Sequence, residues 1–370
     1  MARQDRTFII AEAGVNHNGS AKLARDLVVA AAESGADAVK FQTFSAEKLV
    51  LKSAGKAAYQ KINTGSDTSQ FEMLSALELA ADTHIELREL CNKHGIEFMS
   101  SPFDPDSVDF LARTVGVKRL KIPSGEMVNG PLLLRAARTG LPIIASSGMC
   151  TLDEVLESLS VIAWACRHPS GQPASRAALA ELRGAADWTS PLVNKVSLLQ
   201  CVTQYPAPAE MTNLRAMQTL QNATGLTVGL SDHSLGRHIA VAAVACGARV
   251  IEKHFTLSRS LPGPDHVASL EPDELGAMIR EIRDVEAALG TGEKVPNAQE
   301  LENRIPARGS LVAARAIKRG EPFTSDNLTV KRPGSGVPAV DYWNVAGRGN
   351  ATRDYAADEQ IDSSALGDRQ

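Results

Sequence analysis

The chain has 370 residues, 44% of them hydrophobic and 22% charged, which fits a folded globular protein and excludes a disordered or collagen-like one. Thirty-nine Lys and Arg against 43 Asp and Glu leave a net charge of -4, which argues against a nucleic-acid surface but leaves room for a local phosphate site. Five Cys with no C-x-x-C pair exclude a disulfide framework and a thiolate metal cluster. The start, MARQDRTFII, does not read as a signal peptide, and no apolar run approaches the roughly 20 residues of a membrane helix, so a soluble, cytoplasmic protein is expected.

From the N-terminus, a short β-rich run, a polar turn and an amphipathic helix recur. Strands are expected at Phe8–Gly14, Ala38–Thr43, Ile96–Ser101, Arg119–Ser124, Pro142–Ser147, Lys195–Cys201, Thr227–Asp232 and Val250–Phe255. They are too continuously apolar for a half-wet antiparallel sheet, whereas parallel strands covered by helices read this way. Ser20 opens the first helix and Gly35 closes it; Thr151 and Glu154 form a capping box; Pro272 starts a helix with acids in its first turn. Eight such units over residues 1–290 predict a (β/α)8 TIM barrel, with a doubly wound sheet as the alternative. Residues 44–83 form a long excursion after the second strand, which at that position reads as a lid or binding loop. Residues 167–193 read as a peripheral insertion. A polar connector at 291–305 leads to a small β-rich module at 306–370, whose thin core is expected to pack on another surface.

Barrel chemistry is built at the C-terminal ends of the strands. Those positions carry Glu12, Lys40, Gln42, Ser101, Lys121, Ser124, Glu126, Ser147, Thr203, Tyr205, Ser231, Asp232, His233, Glu252 and His254, with Asn16, His17 and Asn18 just past the first strand. Lys40 and Lys121 are costly to bury without anionic partners, which points to a ligand carrying phosphate and carboxylate, or to Schiff-base chemistry at one lysine. His233 and His254 end neighbouring strands and suit a Mn²⁺, Zn²⁺ or Co²⁺ ion acting as a Lewis acid. Asp232 and Glu252 are candidate orienters of these histidines. His84, His94, His168 and His238 read as surface residues, and His266 as shaping a loop. Cys201 and Cys246 read as buried, and no Cys has a partnered base.

The segments AEAGVNHNGS (11–20), DAVKFQTF (37–44), SSPFD (100–104), KIPSGE (121–126), SSGM (146–149), TQYPAP (203–208), GLSDHSLG (229–236), EKHFTL (252–257) and GPDH (263–266) resemble the sialic acid synthase family. RIPARGSLVAARAIKRGE with TVKRPGSG resembles that family's C-terminal antifreeze-like (SAF, β-clip) domain. The resemblance implies condensation of phosphoenolpyruvate with an N-acyl mannosamine and water, giving a nine-carbon 2-keto sugar acid and phosphate by C–O cleavage. It implies phosphoenolpyruvate contacts at Lys40, Ser101, Lys121, Ser124, Thr203 and Ser231, and sugar contacts at Glu12, Tyr205 and Asp265. It further implies a Mn²⁺ ion (Mg²⁺ or Co²⁺ as alternatives) on His233 and His254, and a water-orienting or proton-handling role for Glu126. Arg332 would reach the sugar's N-acyl group in the barrel of a partner subunit, within a domain-swapped homodimer. The implied activity is N-acetylneuraminate synthesis, with N,N'-diacetyllegionaminate synthesis from 2,4-diacetamido-2,4,6-trideoxymannose as the alternative; Gln204 is a candidate contact to the acyl or C4 substituent. Barrels that use phosphorylated sugars would need a second basic cluster, which the outer rim residues Asn16, Asn18, Tyr205 and Asp265 do not form. Competing with the synthase reading are a class I aldolase and a non-catalytic sugar-binding protein.

Overall fold

The structure is a computed structural model and describes residues 6–57, 60–61 and 68–366. The chain divides into two compact units between Gly290 and Thr291.

The first unit holds eight parallel strands: β1 Phe8–Gly14, β2 Ala38–Thr43, β3 Glu97–Pro102, β4 Leu120–Ile122, β5 Ile143–Ser146, β6 Val196–Cys201, β7 Thr227–Asp232 and β8 Val250–His254. They are ordered β3-β2-β1-β8-β7-β6-β5-β4, so the sheet curls round in chain order until β3 and β4 lie side by side. The helices that cover it include α1 (Ala21–Glu33), α2 (Gln70–Leu77), α3 (Ala81–His94), α4 (Pro105–Asp109), α5 (Gly130–Arg138), α6 (Leu152–Arg167), α7 (Arg176–Gly184), α8 (Ala216–Thr224), α9 (His238–Ala245) and α10 (Pro272–Leu289). This is the expected TIM-barrel architecture. The caps follow from sequence: Ser20 accepts from the Leu23 amide, and Thr151 and Glu154 cap each other's backbone. Pro272 is the first residue of α10, after Glu271 at the N-cap.

Both faces of each strand are buried, which explains the continuous apolar runs. Ile9, Val39, Phe98, Ile143, Leu198, Leu230 and Ile251 face outward into the main core with helix residues such as Leu27, Leu87, Leu132 and Leu159. Their neighbours Ile10, Ala38, Met99, Ile144, Leu199 and Val250 form a separate cluster. Strand alternation turns that cluster into the barrel. Glycine at 229 is required here, because a Cβ would lie 2.1 Å from the Val250 carbonyl oxygen and 2.8 Å from a Leu199 methyl. Cys246, expected in the core, is exposed, because α9 ends at Ala245 and leaves it at the helix C-cap. Among the described residues no helix is long and apolar enough to cross a membrane.

In the second unit, two short helices at Ala298–Glu302 and Arg304–Ala307 precede β9 (Ser310–Ala313), which pairs antiparallel with β10 (Leu328–Lys331). Leu311, Ile317, Phe323, Val345, Tyr355 and Ile361 fill its core. Val330, Val340 and Trp343 stay exposed, Trp343 at 76%.

Candidate active site

Two residues beyond the apolar cluster, along the same six strands, stand Glu12, Lys40, Ser101, Ser146, Cys201 and Glu252, all buried. Lys121 on β4 and Ser231 on β7 join them. Above this polar tier opens a cavity of about 340 Å³, at the C-terminal strand ends where a barrel places its chemistry.

The tier is a network of charges. Lys40 Nζ lies 2.7 Å from Glu12 Oε2, 3.8 Å from Glu252 Oε2 and 3.1 Å from Ser101 Oγ. Lys121 Nζ lies 3.5 Å from Glu252 Oε1 and donates to Ser146 Oγ at 2.7 Å and to the Ile122 carbonyl at 3.3 Å. Ser231 Oγ donates to Glu252 Oε1 at 3.0 Å. Burial raises Glu12 to a pKa of about 7 against the pull of Lys40. Burial also works against a charged Glu252, but Lys121 and Lys40 outweigh it and hold this carboxyl below its ordinary value. For Lys40, burial is outweighed by Glu12 and Glu252 and its pKa rises; for Lys121, burial prevails and the pKa falls. The anionic partners that the two lysines call for are thus already present in the fold. Glu252, expected as an orienter of the histidines, is the carboxylate between the two lysines. Asp232, the other expected orienter, faces away from the cavity and pairs with the buried Lys253 at 2.8 Å.

His233 and His254 meet with ring centroids 5.3 Å apart. Tyr205 lies over His233 at 4.1 Å with the rings tilted by 31°, and meets His254 edge-on at 5.5 Å. His233 Nδ1 is 2.6 Å from the Val202 carbonyl, so it carries the proton there and Nε2 is the nitrogen that could meet an ion. Burial opposes a charge on this imidazole, but Cys201 and the Val202 carbonyl outweigh it and raise its pKa, so an ion would have to displace a proton from Nε2. The buried Nδ1 of His254 has no hydrogen-bond partner, and burial together with His233 holds that imidazole neutral, the form that binds metals. Among the described residues no group of three or more His, Cys, Asp and Glu is placed to hold an ion. The two imidazoles could hold a divalent cation only with water or substrate oxygens as its remaining ligands. Asp265 closes this side of the cavity, its pKa pushed up to about 6 by burial.

Of the residues that the resemblance assigns to substrate, metal or catalysis, all but Glu126 and Arg332 line the cavity: Glu12, Lys40, Ser101, Lys121, Ser124, Thr203, Tyr205, Ser231, His233, His254 and Asp265. Glu126 ends the 3-10 turn Ser124–Glu126; Ser124 and Gly125 line the cavity, while the Glu126 carboxylate accepts from Asn129 Nδ2 at 2.6 Å. Arg332 lies in the second unit, exposed, just past β10. Gln204, the candidate contact to the sugar's substituents, is exposed and not part of the lining. Gly148 brings its backbone close to the donors: its amide donates to Ser124 Oγ at 3.0 Å, and a Cβ would lie 2.5 Å from Thr203 Oγ1.

Sequence reasoning missed an apolar wall made by Val15, Met73, Leu74, Leu77 and Phe103, contributed mainly by the excursion after β2. Only the length of that excursion signalled it. Cys201, read as buried and without a partnered base, lines the cavity and does have one: its Sγ lies 3.8 Å from His233 Nδ1. Against the effect of burial, that imidazole lowers the thiol's pKa, a pairing that follows from β6 and β7 being neighbours. His84, expected at the surface, is buried edge-on between Phe98 and Phe110, because it falls on the inner face of α3 with Leu87 and Cys91. His266 does shape its loop, reaching Thr256 Oγ1 at 2.7 Å and Asn18 Oδ1 at 3.2 Å.

The NeuB family matches residues 27–294, and the SAF domain matches residues 308–365. The N,N'-diacetyllegionaminic acid synthase of Legionella pneumophila is 47% identical over 92% of this chain and 89% of its own length. That of Campylobacter jejuni is 45% identical over 96% and 99%. The crystal structure of N-acetylneuraminic acid synthetase from Leptospira borgpetersenii, in complex with citrate, superposes with a TM-score of 0.65 at 32% identity, over 80% of this chain and 90% of that one. A barrel with this mouth, followed by this small domain, makes the chain a member of the NeuB family of phosphoenolpyruvate-condensing sugar synthases.

Proposed function

We propose that this enzyme condenses phosphoenolpyruvate with 2,4-diacetamido-2,4,6-trideoxymannose to give N,N'-diacetyllegionaminic acid and phosphate. The observation that carries the choice of sugar is the 47% and 45% identity to two N,N'-diacetyllegionaminic acid synthases, against 32% to the N-acetylneuraminic acid synthetase. N-acetylmannosamine, the expectation from sequence alone, thereby becomes the second reading.

In this reading Lys40 and Lys121, which already share Glu12 and Glu252, donate their remaining hydrogen bonds to the phosphate and carboxylate of phosphoenolpyruvate. The raised pKa of Glu12 lets it give up its charge when the anion enters, and Ser101, Ser124, Thr203 and Ser231 donate to the same oxygens. Glu12, Tyr205 and Asp265 hold the open-chain sugar so that its aldehyde carbon faces C3 of the enol. His233 and His254 would hold a divalent cation, Mn²⁺ by resemblance, whose chemistry when bound is polarisation of the aldehyde oxygen. The C3–carbonyl bond forms, water adds at C2, and the tetrahedral species loses phosphate with its bridging oxygen. The resemblance gives Glu126 the task of orienting that water or taking its proton; since its carboxylate is held by Asn129 outside the cavity lining, it would have to turn from that bond to do so. Lys40 and Lys121 then stabilise the charge leaving with phosphate.

The test is phosphate release from phosphoenolpyruvate and Mn²⁺ with either sugar, with mass identification of the product. We expect the trideoxy sugar to be preferred; a preference for N-acetylmannosamine would overturn the choice of sugar and leave the condensation chemistry standing.

The same reading makes the enzyme a domain-swapped dimer, with Arg332 reaching the partner's sugar. Its support is that, within each unit, large apolar side chains stand exposed: Leu51, Val128, Met149, Met211, Leu235 and Val267 on segments that follow the barrel strands, and Val330, Val340 and Trp343 on the small domain. Arg332→Ala should raise KM for the sugar and leave that for phosphoenolpyruvate unchanged. Mixed and refolded with an inactive Lys121→Met chain, it should regain activity, because one barrel of the heterodimer is intact and faces an intact Arg332. Absence of that complementation would refute the swap.

A further inference from the structure

The cavity has two unlike sides. The charged tier and the hydroxyls of Ser101, Ser124, Thr203 and Ser231 meet the needs of an anion; on the opposite side, among the described residues, Val15, Met73, Leu74 and Leu77 present carbon and sulfur, with the amides of Gln60 and Gln70 at their border. These residues belong to an apolar cluster of their own, with Phe44, Leu49 and Phe103, separate from the main core. The cluster is held firmly. Phe44 and Phe103 pack edge to face at 5.9 Å, and α2 begins with a reciprocal cap between Ser69 and Glu72. At the other end of α2 the Ala76 carbonyl presses on Gly19, where a Cβ would lie 2.5 Å away and φ is +73°, so only glycine fits. Gln42 and Gln70 border the same cavity and supply amide groups that can bond an acetamido group.

A sugar hydroxymethyl set against such a wall gives up hydrogen bonds to water and regains none, whereas a methyl group loses nothing. We propose that Val15, Met73, Leu74 and Leu77 form a specificity wall that receives the methyl ends of the sugar, its deoxygenated C6 and an acyl methyl. The wall would set the preference for a deoxy, bis-acylated amino sugar over a hexosamine bearing a hydroxymethyl group. This rests on the condensation proposed above. The discrimination has a ceiling, because an apolar pocket rejects an added hydroxyl by only about 100-fold.

The experiment compares kcat/KM for 2,4-diacetamido-2,4,6-trideoxymannose and N-acetylmannosamine in the native enzyme, Leu74→Asn and Val15→Thr. Leu74 is the least buried of the four wall residues, and Val15→Thr keeps the side-chain shape while adding one hydroxyl at the cavity edge, so the second variant decides if the first does not fold. The ratio of the two sugars should fall about 10-fold in Leu74→Asn and a few-fold in Val15→Thr, with KM for phosphoenolpyruvate within about two-fold of native. An unchanged ratio in variants that turn over both sugars would overturn the wall alone. A native enzyme that prefers N-acetylmannosamine would overturn the wall and the sugar assignment together. A native enzyme silent with both sugars would overturn the functional reading beneath them.

Discussion

The barrel interior is two tiers set one strand period apart. The lower one, Ile10, Ala38, Met99, Ile144, Leu199 and Val250, is wholly apolar; the upper one, displaced by two residues on each of those strands, is Glu12, Lys40, Ser101, Ser146, Cys201 and Glu252. About 6–7 Å of rise separates a plug that contributes stability from a layer that carries charge. The difference shows how one strand serves both ends: alternation fixes which side chains enter the barrel, and position along the strand decides whether they meet more side chains or the cavity. The upper tier is tolerable only because its charges are paired, two ammoniums against two carboxylates.

The sharpest way to break this division is a reciprocal pair of substitutions. Lys121→Met should lower kcat about 1000-fold, equivalent to about 4 kcal/mol of transition-state stabilisation. Its effect on unfolding should be smaller than that, because the change also removes the burial of an ammonium. Leu199→Ala should do the opposite: about 3–5 kcal/mol lost in urea unfolding, with kcat per folded molecule within a few-fold of native. If both variants lose activity and stability in proportion, the tiers are not separable. A smaller effect tests the rim of the upper tier. Gly148→Ala puts a methyl against the Thr203 and Ser124 hydroxyls and 3.1 Å from the Ser124 Cβ, so both hydroxyls must turn and Ser124 must give a little. A modest loss of stability should accompany a rise of about 10-fold in KM for phosphoenolpyruvate, with KM for the sugar unchanged. A rise in both constants would show that Ser124 and Thr203 do not serve phosphoenolpyruvate selectively.

Much of this is legible in the chain. Strands buried on both faces announce themselves as continuous apolar runs, and each of the eight is expected within two residues of its observed ends. The polar tier is readable because barrel chemistry has a fixed address. What is not readable depends on contacts between distant segments. Nothing in EKHF says that Glu252 settles between Lys40 and Lys121 rather than beside His254, since that follows from how β8 faces β2 and β4 across the barrel. His84 sits on a helix whose charged residues mask its inner face. Met73, Leu74 and Leu77 look like any amphipathic turn until α2 is folded over the mouth, and Glu126 stands at the mouth's edge because the turn after β4 ends with Asn129 holding its carboxylate.

The contact between Gly19 and the Ala76 carbonyl works as a mechanical index. It is made by backbone on both sides, so no exchange of side chains along α2 can relax it, and the helix cannot slide lengthwise without driving its own carbonyl into the first loop. The far end of the apolar wall is thus located by backbone against backbone, independently of which side chains α2 carries toward the cavity.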